Sequence, residues 1–206
     1  CKPGETSTEA DEVAKSVELY KDFNSLPLVN TGCDSYASWH PAFKELSPTL
    51  TTDELVNRML ALTPNGAWVQ NNGNDVHLVI TGGEPLLQLD VPLIQALHQK
   101  GFEVAIETNG TIKVPKGVDW VCVSPKAGSE LIVLQADELK LVIPQANHHS
   151  LENLLARFEK MDYRHRYLQP MDGPNLKKNT ELAVGLCQKR PLWRLSLQSH
   201  KLIGIR

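Results

Sequence analysis

The sequence of 206 residues lacks the defining features of several protein classes. It has only four cysteines, Cys1, Cys33, Cys122 and Cys187, too few and too widely spaced for a disulfide scaffold, which favours a reducing, cytoplasmic location. No stretch of about 18 apolar residues occurs, so no membrane-spanning segment is predicted. The 21 Lys and Arg residues nearly balance the 24 Asp and Glu residues, and a net charge of -3 argues against a strongly basic nucleic-acid-binding protein.

Several catalytic and metal-binding motifs are also missing. The glycine pair at 82–83 is not followed by the Gly-Lys-Ser/Thr ending of a P-loop, and no G-x-S-x-G turn of a hydrolase occurs. No C-x2-C or H-x3-H spacing indicates a zinc site. Cys122 falls within an apolar strand and Cys187 on a helix, and buried free cysteines usually behave as small apolar residues. Both are therefore predicted to be structural.

A regular alternation of strands and helices begins after an irregular, polar first quarter. Residues 1–50 contain one short predicted helix, at 11–22, and Thr51 and Glu54 then have the spacing of a capping box. Strands are predicted at 76–80, 103–106, 120–123, 139–143, 167–168 and 193–197. Helices are predicted at 91–100, at 150–160 and from a cap at Asn179 or Thr180 to Lys189. This order is typical of a parallel α/β sheet or partial barrel with helices outside.

Polar or glycine-rich residues follow each predicted strand. The segments are 81–85 (TGGEP), 107–110 (ETNG), 124–126 (SPK), 144–145 (PQ), 169–172 (QPMD) and 198–201 (QSHK). Parallel strands bring these segments to one edge of the sheet, where α/β enzymes bind their ligands. Two glycines allow the backbone of the first segment to approach a ligand closely, and Glu84 adds a carboxylate. A simple strand-to-helix turn would have a similar sequence.

These segments together resemble the 7-carboxy-7-deazaguanine synthases, a family of radical S-adenosylmethionine (SAM) enzymes. The similar segments, in the order of the family, are TGGEP, IETNGT, VSPK, ELKLVIPQ, LQPMDGP and WRLSLQSHK. The resemblance implies an incomplete parallel β/α barrel in a single domain over 1–206. Within it, 1–50 would be a cluster-proximal loop and insertion, and 51–206 the partial barrel.

The implied activity converts 6-carboxy-5,6,7,8-tetrahydropterin into 7-carboxy-7-deazaguanine with release of ammonia, in queuosine and 7-deazapurine biosynthesis. The family uses a [4Fe-4S] cluster, SAM and Mg2+. The implied partners are the small pterin, a reducing protein such as flavodoxin and a second copy of the chain, with no direct contact to nucleic acid.

The resemblance also assigns site residues. Cys1 and Cys33 would hold the cluster, and Ser35 would offer a hydroxyl to Mg2+. The SAM site would be formed by Gly32, Asp34, Gly83, Glu84, Ser124, Pro125, Lys126, Gln169, Pro170, Met171 and Asp172. The substrate would contact Thr81, His200 and the terminal carboxylate of Arg206. Outside these motifs, Lys126 would be interpreted as a solvated lysine and His200 as a core histidine.

The cysteine spacing departs from the pattern of the superfamily. A C-x3-C-x2-C motif normally supplies three thiolates and leaves one iron open for SAM. Here Asn30 lies three residues before Cys33, and the preceding cysteine is Cys1, with 31 residues between the two. We expect a variant with an insertion over 2–30, in which Cys1 is the second ligand. The first ligand, the first strand and a basic residue for the pterin carboxylate would precede Cys1.

Two other hypotheses remain open. One is another radical SAM enzyme, such as a glycyl-radical activase, although the SPK and WRLSLQSHK segments favour the small pterin. The other is a cluster-less module that binds a pterin or nucleotide without turnover. Asn30 supports this second alternative, whereas the intact TGGEP, SPK and QP segments argue against it.

Overall fold

A computed structural model describes residues 8–21, 41–46, 49–62, 76–145, 150–199 and 203. Within these ranges the α-helices are α1 (Thr8–Lys15), α2 (Thr52–Leu62), α3 (Val91–Gln99), α4 (Leu151–Glu159) and α5 (Leu176–Lys189). The strands are β1 (Val76–Ile80), β2 (Phe102–Thr108), β3 (Trp120–Val123), β4 (Gln135–Ile143), β5 (Asp162–Pro170) and β6 (Arg194–Leu195). Short 3-10 turns lie at Val17–Leu19, Pro41–Leu46 and Pro85–Leu87.

The six strands form one parallel sheet in the order of the chain, β1-β2-β3-β4-β5-β6. Helices connect β1 to β2, β4 to β5 and β5 to β6, whereas loops alone join β2 to β3 and β3 to β4. In the described part of the chain, β1 and β6 are the two edges and do not pair with each other. The sheet is therefore open, which confirms the prediction of an incomplete parallel β/α barrel.

Side-chain caps explain where several helices begin. The Thr51 N–H and hydroxyl each donate to the Glu54 carboxylate at 2.8 Å, and the Glu54 N–H donates to the Thr51 hydroxyl at 3.3 Å, which confirms the capping box. Asp90 and Ser150 accept hydrogen bonds from the N–H groups three residues later and so cap α3 and α4.

Apolar clusters in the described ranges cover the helix side of the sheet, and one of them contains Leu86, Leu89, Ile94 and Ile106. Beneath α2 and α3, Val56 and Leu97 pack against Phe102 and Val104 of β2. Beneath α4 and α5, the core contains the fully buried side chains Leu139, Leu141, Ile143, Leu155, Leu168 and Ala183. Since alternate residues of a strand point to opposite faces, β4 contributes Leu139, Leu141 and Ile143 to this core and its intervening residues to the other side.

The opposite side of the sheet is polar, and we call it the polar face, defined by Glu107, Cys122, Glu138, Lys140 and His165. The Lys140 Nζ lies 2.7 Å from Glu107 Oε1, across β3. Glu138 accepts a hydrogen bond from the Trp120 indole at 2.8 Å, and that ring stacks on His165 with centroids 6.0 Å apart. These contacts stabilise strand residues that are not apolar.

Polar side chains with partners explain why two strands are longer than predicted. The sequence predicted only 167–168 and 139–143, but the structure has nine residues in each strand, Asp162–Pro170 and Gln135–Ile143. Arg166 lies within β5 because its guanidinium donates to the carbonyl oxygens of Met161 and Tyr163, at 2.6 and 2.8 Å. A search for apolar runs does not detect strands of this kind.

The remaining differences concern element ends. The last strand is Arg194–Leu195 rather than 193–197, β2 is longer by residues at both ends, and the first helix is Thr8–Lys15 rather than 11–22. Neither Asn179 nor Thr180 caps the last helix, which starts at Leu176 after Asn175. Asn179 is buried within α5 because its side chain bonds a loop carbonyl, described below. Every helix in the described ranges is too short or too polar to cross a bilayer.

Candidate functional site at the carboxyl edge of the sheet

Ten of the predicted site residues are described, and all of them follow the carboxyl ends of β1, β3 or β5 or close β5 itself. Thr81, Gly83, Lys126, Met171 and Asp172 are exposed, Glu84 and Gln169 are half-buried, and Ser124, Pro125 and Pro170 are buried. The other predicted residues lie outside the described ranges: Cys1, Gly32, Cys33, Asp34, Ser35, His200 and Arg206. The parallel topology thus brings the described ten to one edge of the sheet.

The turn after β1 combines an exposed backbone with an anchored carboxylate. Gly82 has a φ of 125°, a backbone conformation that residues with a Cβ rarely adopt. Its neighbours Thr81 and Gly83 are exposed. Glu84 then accepts a hydrogen bond from the Leu86 N–H at 3.1 Å and starts the turn Pro85–Leu87. The backbone at 81–83 is therefore open to a ligand, while Glu84 is turned toward the protein.

The two oxygens of the Glu84 carboxylate bind the last residue of β2 and the first residue after it. The Thr108 hydroxyl donates to Oε1 at 2.7 Å, and the Asn109 N–H donates to Oε2 at 2.8 Å. Hydrogen bonds to a carboxylate are stronger than neutral ones, so this contact ties the ends of β1 and β2 together. The sequence identified Glu84 but not these partners.

The loop after β2 is itself closely hydrogen-bonded. Asn109 Oδ1 accepts from the N–H and hydroxyl of Thr111, at 2.9 and 2.6 Å. The Gly110 N–H donates to the Thr108 hydroxyl at 3.1 Å, and the Gly110 carbonyl accepts from Ile132 and Val133. The sequence indicated only that polar residues follow this strand, and the structure shows which of them bond to one another.

The end of β3 is linked to both of its neighbours. The Ser124 N–H donates to the Thr108 carbonyl at 2.7 Å, and Lys126 Nζ donates to the Ser124 hydroxyl at 3.1 Å. On the other side, the Gln145 side-chain amide donates to the Pro125 carbonyl at 3.0 Å. A lysine ammonium is thereby placed at the carboxyl edge.

The end of β5 is linked in the same manner. The Met171 N–H donates to the Ile143 carbonyl at 2.7 Å, and the Met171 carbonyl accepts from the Asn179 side chain at 2.8 Å. Asp172 Oδ1 accepts from the Gly173 N–H at 2.8 Å. Hydrogen bonds thus connect the loops from β1 to β5 one after another, which gives the edge a defined shape.

The polar face adds residues that the sequence analysis did not assign. Glu107 and Lys140 lie on either side of Cys122, which pairs with Glu107 and Glu138 in the strand register. Burial raises the pKa of the Cys122 thiol to about 12, and the Glu107 carboxylate adds to this effect. Burial also raises the pKa of Cys187. Since the thiolate is the form that binds metals, these shifts agree with structural roles for both cysteines.

The described side chains fit the amino-acid portion of SAM, although they do not form a metal site by themselves. The glycine turn leaves Thr81 and Gly83 exposed, and Lys126 and Asp172 place both signs of charge at the same edge, which suits the ammonium and carboxylate groups of an amino acid. Within the described ranges, no three His, Cys, Asp or Glu side chains are grouped as metal ligands. The predicted cluster cysteines, Cys1 and Cys33, lie outside those ranges.

The open parallel sheet, with a Thr-Gly-Gly-Glu turn at its carboxyl edge, has the form that the resemblance to radical SAM α/β enzymes implies. Known proteins agree with this class. A 7-carboxy-7-deazaguanine synthase from Bradyrhizobium diazoefficiens is 52% identical over 149 residues, which are 71% of this chain and 67% of the relative. A synthase from Bacteroides thetaiotaomicron is 35% identical over 176 residues, 85% of each protein.

A solved structure is also similar. The crystal structure of QueE from Escherichia coli matches with a TM-score of 0.58 and 28% identity, covering 84% of this chain and 80% of that one. No protein-family model matches. The chain belongs to the 7-carboxy-7-deazaguanine synthase family.

Proposed function

We propose that this protein converts 6-carboxy-5,6,7,8-tetrahydropterin into 7-carboxy-7-deazaguanine with loss of ammonia, as a lyase of queuosine and 7-deazapurine biosynthesis. The observation that carries the proposal is the carboxyl edge of the sheet, where the turn at 81–83, Lys126 and Asp172 lie together. The chain that carries this edge belongs to the family of these synthases. An iron-sulfur cluster and SAM, when bound, supply the radical chemistry that the ring contraction requires. The protein supplies binding, orientation and electrostatics.

The described residues have complementary roles toward SAM. The backbone carbonyls of the turn at Gly82 and Gly83 would accept hydrogen bonds from its ammonium group, because Thr81 and Gly83 are exposed. Lys126 would pair with the carboxylate of SAM. The hydrogen bond from Lys126 Nζ to the Ser124 hydroxyl, at 3.1 Å, limits the positions of the lysine ammonium. The segment 169–172, with Gln169, Pro170, Met171 and Asp172, closes the far side of the site.

The remaining assignments come from the sequence resemblance. Cys1 and Cys33 hold the [4Fe-4S] cluster, and Ser35 binds Mg2+. Gly32 and Asp34 contact SAM. Thr81, which is exposed after β1, faces the pterin together with His200 and Arg206.

We also propose the domain extent, oligomeric state, location and electron donor of the enzyme. One radical SAM domain spans 1–206, and it works as a cytoplasmic homodimer that receives electrons from a partner such as flavodoxin. The charge balance of the chain supports a small-molecule substrate over a nucleic acid, because no excess of basic residues is present to neutralise phosphates.

The test is anaerobic purification and reconstitution of the full-length protein, followed by iron and sulfide analysis and EPR of the reduced cluster with and without SAM. We expect about four irons per chain and an EPR signal that SAM alters, because an iron without a cysteine ligand would be open to SAM. The carboxytetrahydropterin is then added, and 7-carboxy-7-deazaguanine and ammonia are measured. Absence of a cluster would refute the radical mechanism and favour the cluster-less binding module. A cluster with SAM cleavage but no deazaguanine would favour another radical SAM substrate.

A further inference from the structure

We propose that Thr108 is a positioning residue of the SAM site, which holds the Glu84 turn and the Ser124–Lys126 segment at a fixed separation. The proposal rests on the proposed function, since it concerns the same site. Thr108 is the last residue of β2, between the two strands that carry these segments. Its side chain is 1% exposed, so it acts on a ligand only through its neighbours.

Three hydrogen bonds make Thr108 the link between the loops. Its hydroxyl donates to Glu84 Oε1 at 2.7 Å and accepts from the Gly110 N–H at 3.1 Å. Its carbonyl accepts from the Ser124 N–H at 2.7 Å. The side chain of Thr108 therefore bonds Glu84 and its backbone carbonyl bonds Ser124, whose hydroxyl accepts from Lys126.

The hydroxyl is the part of Thr108 that the proposal makes essential. Valine has nearly the same shape and also suits a strand, but it neither donates to Glu84 nor accepts from Gly110. In Thr108→Val, Glu84 Oε1 keeps only the Leu86 N–H, and the Gly110 N–H loses its acceptor in a buried position. Serine keeps both bonds. The pair Thr108→Val and Thr108→Ser thus separates the hydrogen bonds from the packing.

The second expectation concerns Glu84. Because its two oxygens bind Thr108 and Asn109, we infer that Glu84 acts on SAM through the position of the turn at 82–83. Substitutions at Glu84 and Thr108 would then disturb one and the same link. Their effects should be non-additive, as is expected of residues in one hydrogen-bond network.

The experiment compares wild type, Thr108→Val, Thr108→Ser, Glu84→Gln and the Thr108→Val/Glu84→Gln double variant as full-length, anaerobically reconstituted proteins. Equilibrium dialysis gives the SAM Kd, and hydrogen exchange of the SAM-free proteins reports on residues 107–112. We expect Thr108→Val to weaken SAM binding about tenfold, the scale of one hydrogen bond to a charged group, and Thr108→Ser to stay within about twofold. The SAM Kd of the double variant should be at most about twice that of Glu84→Gln. Exchange at 107–112 should rise in Thr108→Val and Glu84→Gln.

The outcomes separate the two proposals. Failure of the wild type to bind SAM refutes the proposed function, and the inference with it. Wild-type binding with an unchanged Kd in Thr108→Val overturns the inference alone. So does an equal loss of affinity in the Val and Ser variants, which would indicate packing. If Thr108→Val does not fold, Glu84→Gln decides: unchanged exchange at 107–112 would contradict the link.

Discussion

Gly110 offers the sharpest test of how the carboxyl edge is built. It has a φ of +79°, and a Cβ atom added there would lie 2.5 Å from Leu131 Cδ1 and 2.8 Å from Val123 Cγ1. Val123 is fully buried, so it has little room to move. Gly110→Ala therefore introduces both a backbone penalty and a steric conflict at the loop that binds Glu84.

The expected cost follows from these two contributions. The left-handed conformation costs a residue with a Cβ about 1 kcal/mol, and overpacking a close contact costs about 1 to 3 kcal/mol. Gly110→Ala should therefore lower the free energy of unfolding by about 2 to 4 kcal/mol. Urea unfolding followed by circular dichroism measures this change.

Two other glycines serve as matched controls. Gly173 has a φ of +117° but nothing within 4 Å of an added Cβ, so Gly173→Ala retains only the backbone penalty. Gly185 lies in α5 with no close atom, and Gly185→Ala should stabilise the protein by about 0.5 to 1 kcal/mol because alanine favours helices. The expected order of stability is Gly185→Ala, wild type, Gly173→Ala, Gly110→Ala. A Gly110→Ala variant as stable as Gly173→Ala would refute the steric argument.

The other predictions concern stability and the thiols. Arg190→Gln should destabilise the fold by about 1 to 2 kcal/mol, because Arg190 Nη1 donates to both oxygens of Glu159 at 2.8 Å. Burial raises the pKa of Glu159, but the hydrogen bonds, chiefly from Arg190, outweigh it and leave that pKa below its ordinary value. The stabilisation is thus present at neutral pH and lost as the pH falls through the lowered pKa, so urea unfolding in acid should show a smaller difference between the two proteins; a constant difference would contradict the pairing. Tyr163→Phe should lower the free energy of unfolding by about 1 to 3 kcal/mol, because it removes the donor to a buried carbonyl oxygen. The Tyr163 hydroxyl donates to the Val133 carbonyl at 2.5 Å. An unchanged urea midpoint would count against this prediction. Cys122→Ala should leave the iron content of the reconstituted protein unchanged, and loss of iron would make Cys122 a ligand.

Local signals in the sequence were sufficient for much of the fold. The strand at 76–80 and the helix start at Thr51 were predicted at the residues where the structure has them, because an apolar β-branched run and a capping box depend on neighbours in sequence. The same holds for the strand at 120–123. The start of the last helix was wrong because the Asn179 side chain bonds the Met171 carbonyl, a partner that is adjacent only in the fold.

In the candidate site, too, the sequence identified residues, whereas their contacts became known only from the structure. Residues 81–85 were identified from the glycine pair and its place after a strand, and a resemblance to known sequences assigned them to SAM. The sequence did not indicate that Glu84 binds Thr108 and Asn109, since 24 and 25 residues separate the partners. Nor did it indicate the ion pair of Glu107 and Lys140 across β3.

By itself, the sequence determined the order of strands and helices, the class of sheet and the segments that meet at its carboxyl edge, because periodicity, caps and turns are local properties of the chain. Only the tertiary structure decided the lengths of β4 and β5, the burial of Asn179 and the link from Glu84 through Thr108 to Ser124. These features depend on polar groups finding partners in the folded chain. A buried polar group is stable only when it is paired, and the fold decides which partners are within reach.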